Sequence, residues 1–122
     1  MEKIQSFKDL KVWQKSHELV LEVYRLTQCF PVEEKFGLIS QMRRSAVSVP
    51  ANIAEGFKRR GRKDKINFYN IAQGSLSELH YYTILSKDLG FRLNLDKIGS
   101  LIDEIGRMLR AVIISLDQDP TY

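Results

Sequence analysis

The sequence predicts an all-α protein folded as an antiparallel, up-down-up-down four-helix bundle. Apolar residues recur at helical spacing over four long stretches, about residues 7–28, 33–60, 63–89 and 95–117. Short segments marked by glycine or proline separate these stretches, and no segment alternates as a strand would. Short connections favour antiparallel neighbours, and 122 residues suit one domain, so residues 1–122 are expected to form a single bundle.

The first helix is expected to begin near Ser6, because Ser6 and Asp9 have the spacing of a capping box with Asp in place of Glu or Gln. Its apolar positions cover an arc nearly twice the ~100° of an ordinary surface helix. One neighbouring helix cannot cover such an arc. At the margin of the arc, His17 is expected to be packed or partly exposed. Cys29, the only cysteine, is expected to be a small core residue.

The second helix has a stripe of apolar and small residues interrupted by Pro50. Proline inside a helix removes a hydrogen bond and crowds the preceding turn, at a cost of roughly 3 kcal/mol. Either the helix ends before Pro50 and another begins, or one helix continues with a kink. The stripe keeps its register from Val49 through Ile53 to Gly56, which favours the kinked, continuous helix. Gly61 is expected to end it in a left-handed conformation.

The third and fourth helices have simpler patterns. Helix 3 is expected to begin around residues 62–64 and to end at Gly90, with a regular apolar stripe from Phe68 to Leu89. Helix 4 is expected to open at Asn94, a favourable N-cap residue, and to repeat its apolar positions as a heptad from Ile98 to Leu116. These two patterns complete the four helices of the predicted bundle.

Charge is concentrated in one segment of the chain. The net charge is +4, and residues 58–65 hold six basic residues and one acidic residue. The rest of the chain carries 13 basic and 14 acidic residues. In an up-down-up-down bundle this segment shares one end with the start of helix 1 and the end of helix 4, which add further basic residues, among them Lys11, Lys15, Arg107 and Arg110. The pattern is typical of an electrostatic site.

Two interpretations of this segment remain open. Its cations could contact the phosphates of RNA or DNA with little sequence preference, with Phe57, Phe68 and Tyr69 available to stack on unpaired bases. Alternatively, the first cations complement the negative end of helix 2 and the rest form a solvated turn. We favour nucleic-acid binding and expect these residues to carry it: Lys58, Arg59, Arg60, Arg62, Lys63, Lys65, Lys11 and Lys15.

A second group of polar residues lies on small or apolar helix surfaces. If Asn52, Glu55 and Glu78 are buried, they must be paired, with Arg43 and Arg44 as available partners. A catalytic carboxylate pair is the alternative, but no nucleophile, metal-ligand set or phosphate-binding loop accompanies it. The sequence also lacks the Glu-x-x-His motif of di-iron bundles. We therefore expect a structural polar network, no catalytic residues, no metal or other cofactor and no enzymatic activity.

The apolar segments are too short for a membrane span. No apolar run approaches eighteen residues, and the first residues lack the hydrophobic stretch of a secretion signal. A cytoplasmic protein that does not interact with membranes is therefore expected.

Three segments resemble a known family. Residues 41–56 (QMRRSAVSVPANIAEG), 7–14 (FKDLKVWQ) and 68–79 (FYNIAQGSLSEL) resemble the bacterial four-helix-bundle family that includes the proteins encoded in 23S ribosomal RNA intervening sequences. The accessory variability proteins of diversity-generating retroelements are similar too. The resemblance extends from about Phe7 to Gly90. The family usually has a second carboxylate where this chain has His80, so a role built on a carboxylate pair is doubtful here.

The resemblance implies a ring-like homopentamer, in which a basic end would become a basic rim. It also implies two contexts: an accessory role beside a reverse transcriptase and its template RNA, or a gene placed within ribosomal RNA. A competing class is a protein-protein interaction scaffold that binds no nucleic acid. The sequence therefore predicts a non-enzymatic, homo-oligomeric protein that binds RNA or DNA, with the scaffold as the alternative.

Overall fold

A computed structural model describes residues 3–118 of the chain. This part contains four long helices, α1 (Lys11–Thr27), α2 (Leu38–Lys58), α3 (Arg62–Asp88) and α4 (Asp96–Gln118), and no strand. Single 3₁₀ turns lie at Phe7–Asp9 and Val32–Glu34. None of the helices within residues 3–118 is long and apolar enough to cross a bilayer. The predicted all-α class, with four helices, is confirmed.

Each helix packs against two others. α1 contacts α2 and α4, and α3 also contacts α2 and α4. In the contacts between α2 and α3, residue numbers rise along α3 as they fall along α2. Lys65 donates to Gly56 at one end, and Glu78 pairs with Arg44 further along. α2 and α3 therefore run antiparallel, and the link between them lies at one end of the helix pair.

The core lies between the four helices and is almost entirely apolar. Its fully buried side chains come from all four helices: Leu19, Val23, Met42, Ala46, Val49, Ile53, Ala72, Leu79, Ile105 and Leu109. A few buried hydroxyl groups donate to carbonyls of their own helix, as Ser16 does to Val12 O at 2.7 Å. Within residues 3–118 no buried side-chain nitrogen or oxygen lacks a hydrogen-bond partner.

α2 continues through Pro50. Pro50 itself is buried, and Val49 and Ile53 on either side of it are fully buried. The stripe thus keeps its register across the proline because all three side chains belong to one packed helix face. The predicted continuous helix is observed, whereas the kink stays a prediction.

The first turns of helices 1 and 2 differ from expectation. Ser6 and Asp9 form the predicted capping box, but it caps the 3₁₀ turn Phe7–Asp9. Leu10 then takes an extended conformation (φ −78°, ψ 127°), so α1 begins only at Lys11. Similarly, residues 33 and 34 belong to a 3₁₀ turn, and α2 begins at Leu38. In both places a 3₁₀ turn precedes the helix, and the predicted helix had included the residues of this turn.

The prediction for Gly61 is wrong. Gly61 has an extended backbone (φ −80°, ψ 145°) and directly precedes α3 instead of ending α2 in a left-handed conformation. Arg59, just after α2, is extended as well (ψ 150°). Within residues 3–118 the left-handed glycine is Gly90, at φ 86°, where α3 ends. A short extended link therefore joins α2 to α3.

The end of α1 also corrects a prediction. Cys29 is exposed, because α1 ends at Thr27 and it is Thr27 that occupies the buried position. His17 is exposed and stacks on Trp13, with ring centroids 5.2 Å apart. The wide apolar arc is only partly covered within one chain, since Leu21 remains 43% exposed.

Candidate nucleic-acid interface

The geometry of the basic segment is set by a close contact between α2 and α3. A Cβ atom at Gly56 would lie 2.6 Å from Cε1 of Tyr69, far inside van der Waals contact. Tyr69 is only 5% exposed, so its ring is held by packing. The helices can approach this closely only because Gly56 has no side chain. The contact lies beside the 59–61 link and fixes the two helix ends that bear the cations.

Three cations of the segment project into solvent. Lys58, Arg60 and Lys63 are exposed. None of the three makes a hydrogen bond, an ion pair or a cation-π contact with another residue of the described chain. Positive groups without protein partners can contact phosphates without first breaking an interaction. These three residues are therefore the strongest part of the predicted site.

Arg59 lies on the same surface but has partners. Its guanidinium pairs with Glu55 at 3.1 Å and lies 4.7 Å from the ring centroid of Phe68. Both members of the ion pair are more than two-fifths exposed, and such pairs contribute only about 0–1 kcal/mol. A phosphate oxygen can therefore compete for this guanidinium. Arg62, which is partly buried, also has contacts within the protein.

Lys65 performs a different task from the one predicted. Its ammonium donates to the carbonyl oxygens of Phe57 at 2.8 Å and of Gly56 at 3.2 Å. Both carbonyls belong to the last turn of α2, where the helix dipole favours a cation. The Gly56 oxygen also accepts a hydrogen bond from the backbone N–H of Arg59 at 3.2 Å. Burial lowers the pKa of Lys65 below its ordinary value. Lys65 thus joins α3 to the end of α2, and the sequence pattern did not separate it from its exposed neighbours.

The two predicted cations of α1 differ in availability. Lys11 is exposed at the first position of α1, on a helix end that the bundle brings near the end of α2. Lys15, one turn further along, pairs with Glu104 of α4 at 3.4 Å and with Glu18 at 3.9 Å. Lys15 therefore helps to hold α1 against α4, and Lys11 is the more accessible of the two.

The aromatic residues near the segment are mostly engaged within the protein. Tyr69 is buried against Gly56, so it cannot stack on a base. Phe57 lies 5.7 Å beneath the ammonium of Lys65, and Phe68 lies beneath Arg59. Both phenylalanines are partly buried. Phosphate contacts are thus better supported here than base stacking.

One of the predicted polar pairings forms between α2 and α3. Arg44 donates to Glu78 at 2.5 Å and to Gln41 at 3.0 Å. The hydroxyl of Tyr82 donates to the same Glu78 carboxylate at 2.9 Å. The hydrogen bond to this carboxylate stabilises the protonated phenol and raises the pKa of Tyr82.

The other predicted network residues form separate clusters. Arg43 donates to Thr27 Oγ1 at 2.8 Å near the end of α1. Asn52 donates to the carbonyl oxygen of Ser48 at 2.8 Å within α2. Glu55 is exposed and pairs with Arg59 outside any network.

Glu55 and Glu78 do not pair with a shared partner. Glu55 and Glu78 pair with different arginines, Arg59 and Arg44, so each carboxylate is neutralised by its own partner. Among residues 3–118 no group of three or more histidine, cysteine, aspartate and glutamate side chains lies close enough to hold a metal ion.

Arg107 and Arg110 lie away from the basic segment. They line an open groove of about 450 Å³ between α3 and α4, together with His80 and Ser77. Gln73 lines this groove and donates a hydrogen bond to the carbonyl oxygen of Gly106 in α4. Along the helix axis, Gln73 lies about 16 Å from the start of α3. Sequence reasoning assigned these arginines to the basic end because it counted the second half of α4 with that end, whereas Gly106, next to Arg107, lies beside Gln73 in the middle of α3.

Comparisons with known proteins identify the family. No curated protein matches the chain. The chain is similar to a protein of unknown function from the S23 ribosomal protein family of Bacteroides thetaiotaomicron, known from a crystal structure, with 29% identity and a TM-score of 0.73. The match covers 84% of this chain and 97% of that one. The model of the 23S rRNA-intervening sequence protein family matches residues 8–111. The chain belongs to the 23S rRNA-intervening sequence protein family.

Proposed function

We propose that the protein binds RNA or DNA through the exposed cations at the α2–α3 link. The observation that carries this proposal is the concentration of charge: six basic residues and one acid in residues 58–65, with Lys58, Arg60 and Lys63 exposed and without protein partners in residues 3–118. Such a surface contacts phosphates and discriminates little between base sequences. The family name connects its members with 23S rRNA, which supports a nucleic-acid partner.

The binding site is proposed to be a surface and not a pocket. Its cations lie at and just beyond the end of α2 and in the first turn of α3, and the Gly56–Tyr69 contact fixes these two helix ends relative to each other. A rigid base fixes the backbone positions from which the cations extend, so the backbone need not become ordered when a polyanion binds. We propose a non-enzymatic role, without cofactors, in the cytoplasm.

The proposal includes a homo-oligomer, with the pentamer as the size that the family resemblance suggests. Apolar side chains remain exposed on α1 (Leu21 and Tyr24) and on α3 (Ile71, Tyr81 and Ile84), each between 39% and 57%. Helix packing between chains would bury such surfaces. A ring would repeat the cations around its axis and increase affinity for a polyanion by multivalency. Sedimentation analysis tests this directly, and a monomer at micromolar concentration would contradict it.

A protein-binding scaffold is the second candidate, and one observation favours it. Val32 and Phe36, between α1 and α2, are 76% and 88% exposed. They lie in the α1–α2 connection, at the opposite end of α2 from the cations, so a protein partner there would leave the α2–α3 link accessible. A reverse transcriptase encoded beside the gene would be a natural partner. Gene context separates this possibility from a gene lying within ribosomal RNA.

A triple variant tests nucleic-acid binding without disturbing the fold. Lys58→Gln, Arg60→Gln and Lys63→Gln together remove the exposed cations and leave the capping contact of Lys65 in place. The matched control carries three neutralised cations at the opposite end of α2 and α3: Lys35→Gln, Lys87→Gln and Arg92→Gln, all of them exposed. Equilibrium binding of a labelled single-stranded RNA and a duplex DNA is measured for the wild type and both variants.

The expected result is selective loss of affinity in the α2–α3 variant. When salt rises from 50 to 200 mM, three phosphate contacts weaken binding by about 40-fold for duplex DNA and by about 20-fold for single strands. The α2–α3 variant should lack this part of the salt dependence. Equal weakening in both variants would indicate attraction to net charge without a defined site. Absence of binding by the wild type at 50 mM salt would exclude the proposal and favour the scaffold.

A further inference from the structure

The groove between α3 and α4 is a second polar feature of the molecule, separate from the α2–α3 link. Its walls are His80, Ser77 and Gln73 on α3, and Asp103, Arg107 and Arg110 on α4. Buried Leu76 and Ile102 form its floor beside Gly106. The groove is open to solvent, has a volume of about 450 Å³ and is lined mostly by polar groups.

The charged groups of the groove have no protein partners in residues 3–118. Arg107, Arg110 and Asp103 are exposed and form no ion pair there, and the ring of His80 makes no hydrogen bond. Lys15 and Glu104, by contrast, are paired across α1 and α4. Two guanidinium groups with free donors favour a phosphate, since arginine binds phosphate oxygens in a bidentate manner.

Gly106 keeps the floor of the groove open. Glycine inside a helix is less favourable than alanine, because it loses more conformational freedom on folding. Packing does not require glycine here, because a Cβ atom would lie 3.6 Å from Leu76 Cδ2, an ordinary contact. The carbonyl oxygen of Gly106 accepts a hydrogen bond from Gln73 at 3.2 Å, which ties the two walls together. Gly106 lines the groove and its Cβ position faces Leu76 and Gln73, so a larger side chain there would occupy part of the space.

We propose that this groove binds a nucleotide unit, with Arg107 and Arg110 on the phosphate and Asp103 accepting from ribose hydroxyls. Asp103 can accept hydrogen bonds from hydroxyl groups, so a ligand that carries hydroxyl donors beside its phosphate can use both the carboxylate and the guanidinium groups, whereas a bare phosphate uses only the guanidinium groups. The nucleotide is either free or part of a strand, and both sources present the same chemistry. The inference does not depend on the α2–α3 link, because none of the cations proposed for that link lines the groove.

The test uses adenosine 5′-monophosphate, adenosine, inorganic phosphate and a twenty-nucleotide single-stranded RNA as probes. Binding is measured by calorimetry, and the site is located by the NMR shifts of the Gly106 amide and the His80 ring. The groove variant is Arg107→Gln with Arg110→Gln, and its matched control is Lys87→Gln with Arg92→Gln. Gly106→Leu fills the groove, and Gly106→Ala controls for helix stability.

We expect the mononucleotide to shift both NMR signals and to bind about tenfold more weakly to the groove variant and to Gly106→Leu, as loss of a charged hydrogen bond predicts. Both controls should change affinity less than twofold. RNA that shifts the same signals identifies a strand as the source, whereas a shift with the mononucleotide alone identifies a free nucleotide. Equal binding of adenosine, or tighter binding of inorganic phosphate, would overturn the proposal, as would unshifted signals with every probe. The groove variant keeps Lys58, Arg60 and Lys63, so its failure is distinguishable from failure at the α2–α3 link.

Discussion

Gly56→Ala tests whether the α2–α3 link is held by close packing. The added Cβ would lie 2.6 Å from Cε1 and 2.9 Å from Cδ1 of Tyr69, a buried ring that cannot move away without disturbing the core. Overpacking of this kind costs about 1–3 kcal/mol, and better helix propensity returns at most ~1 kcal/mol. We therefore expect the free energy of unfolding to fall by about 1–2 kcal/mol.

Gly74→Ala is the matched control for this substitution. Gly74 lies inside α3, and a Cβ atom there meets nothing within 4 Å. Removing an unneeded glycine should raise the free energy of unfolding by about 0.5–1 kcal/mol. Urea unfolding of both variants at one protein concentration gives the two signs, with concentration fixed because assembly contributes to stability. Stabilisation by Gly56→Ala equal to that of Gly74→Ala would refute the close-packing argument.

Two further predictions concern single side chains. Lys65→Met should lower the free energy of unfolding by about 1–2 kcal/mol, because two α2 carbonyls lose a charged donor. The control Lys63→Met should change it by less than ~0.5 kcal/mol. Thermal melts compare the two variants, and equal effects would contradict the capping role. Glu78→Gln should lower the pKa of Tyr82, because the carboxylate is what raises it. The folded state holds this proton more tightly than the unfolded chain, so the stabilisation is present below pH 10 and is lost as the pH rises through the raised pKa. Tyrosinate absorbance during an alkaline titration, with Tyr82→Phe to assign the signal, measures both pKa values; an unchanged value in Glu78→Gln would disprove the assignment.

Helical periodicity was sufficient to predict the four helices, and it failed where local geometry decides. Periodicity correctly predicted that α2 continues through Pro50, because the apolar residues before and after Pro50 are buried on the same helix face. It could not show that Leu10 is extended or that Gly61 precedes a helix, since the spacing of apolar residues carries no information about one backbone angle. The exposure of Cys29 depends on α1 ending at Thr27, one residue before the predicted end, and a periodic pattern cannot resolve a difference of one residue.

The candidate site was predictable in composition but not in the role of each cation. Residues 58–65 are recognisable from charge density alone, whereas the capping role of Lys65 depends on where α3 lies against the end of α2. The same limit applies to Arg107 and Arg110, whose place in the α3–α4 groove depends on the rotation of α4 about its axis. Pairing of Arg44 with Glu78 was open to prediction because both lie on facing helix surfaces, although the choice between Arg43 and Arg44 required the structure.

The most direct test of the nucleic-acid proposal is the salt dependence of binding to a single-stranded RNA. The slope of log affinity against log salt concentration counts the phosphates that the protein neutralises, at about 0.7 per contact for single strands. We expect a steep wild-type slope that becomes shallower by about 2 in Lys58→Gln/Arg60→Gln/Lys63→Gln and stays unchanged in Lys35→Gln/Lys87→Gln/Arg92→Gln. An equal slope in the wild type and the α2–α3 variant would show that these three cations do not contact phosphates, and would contradict the proposed interface.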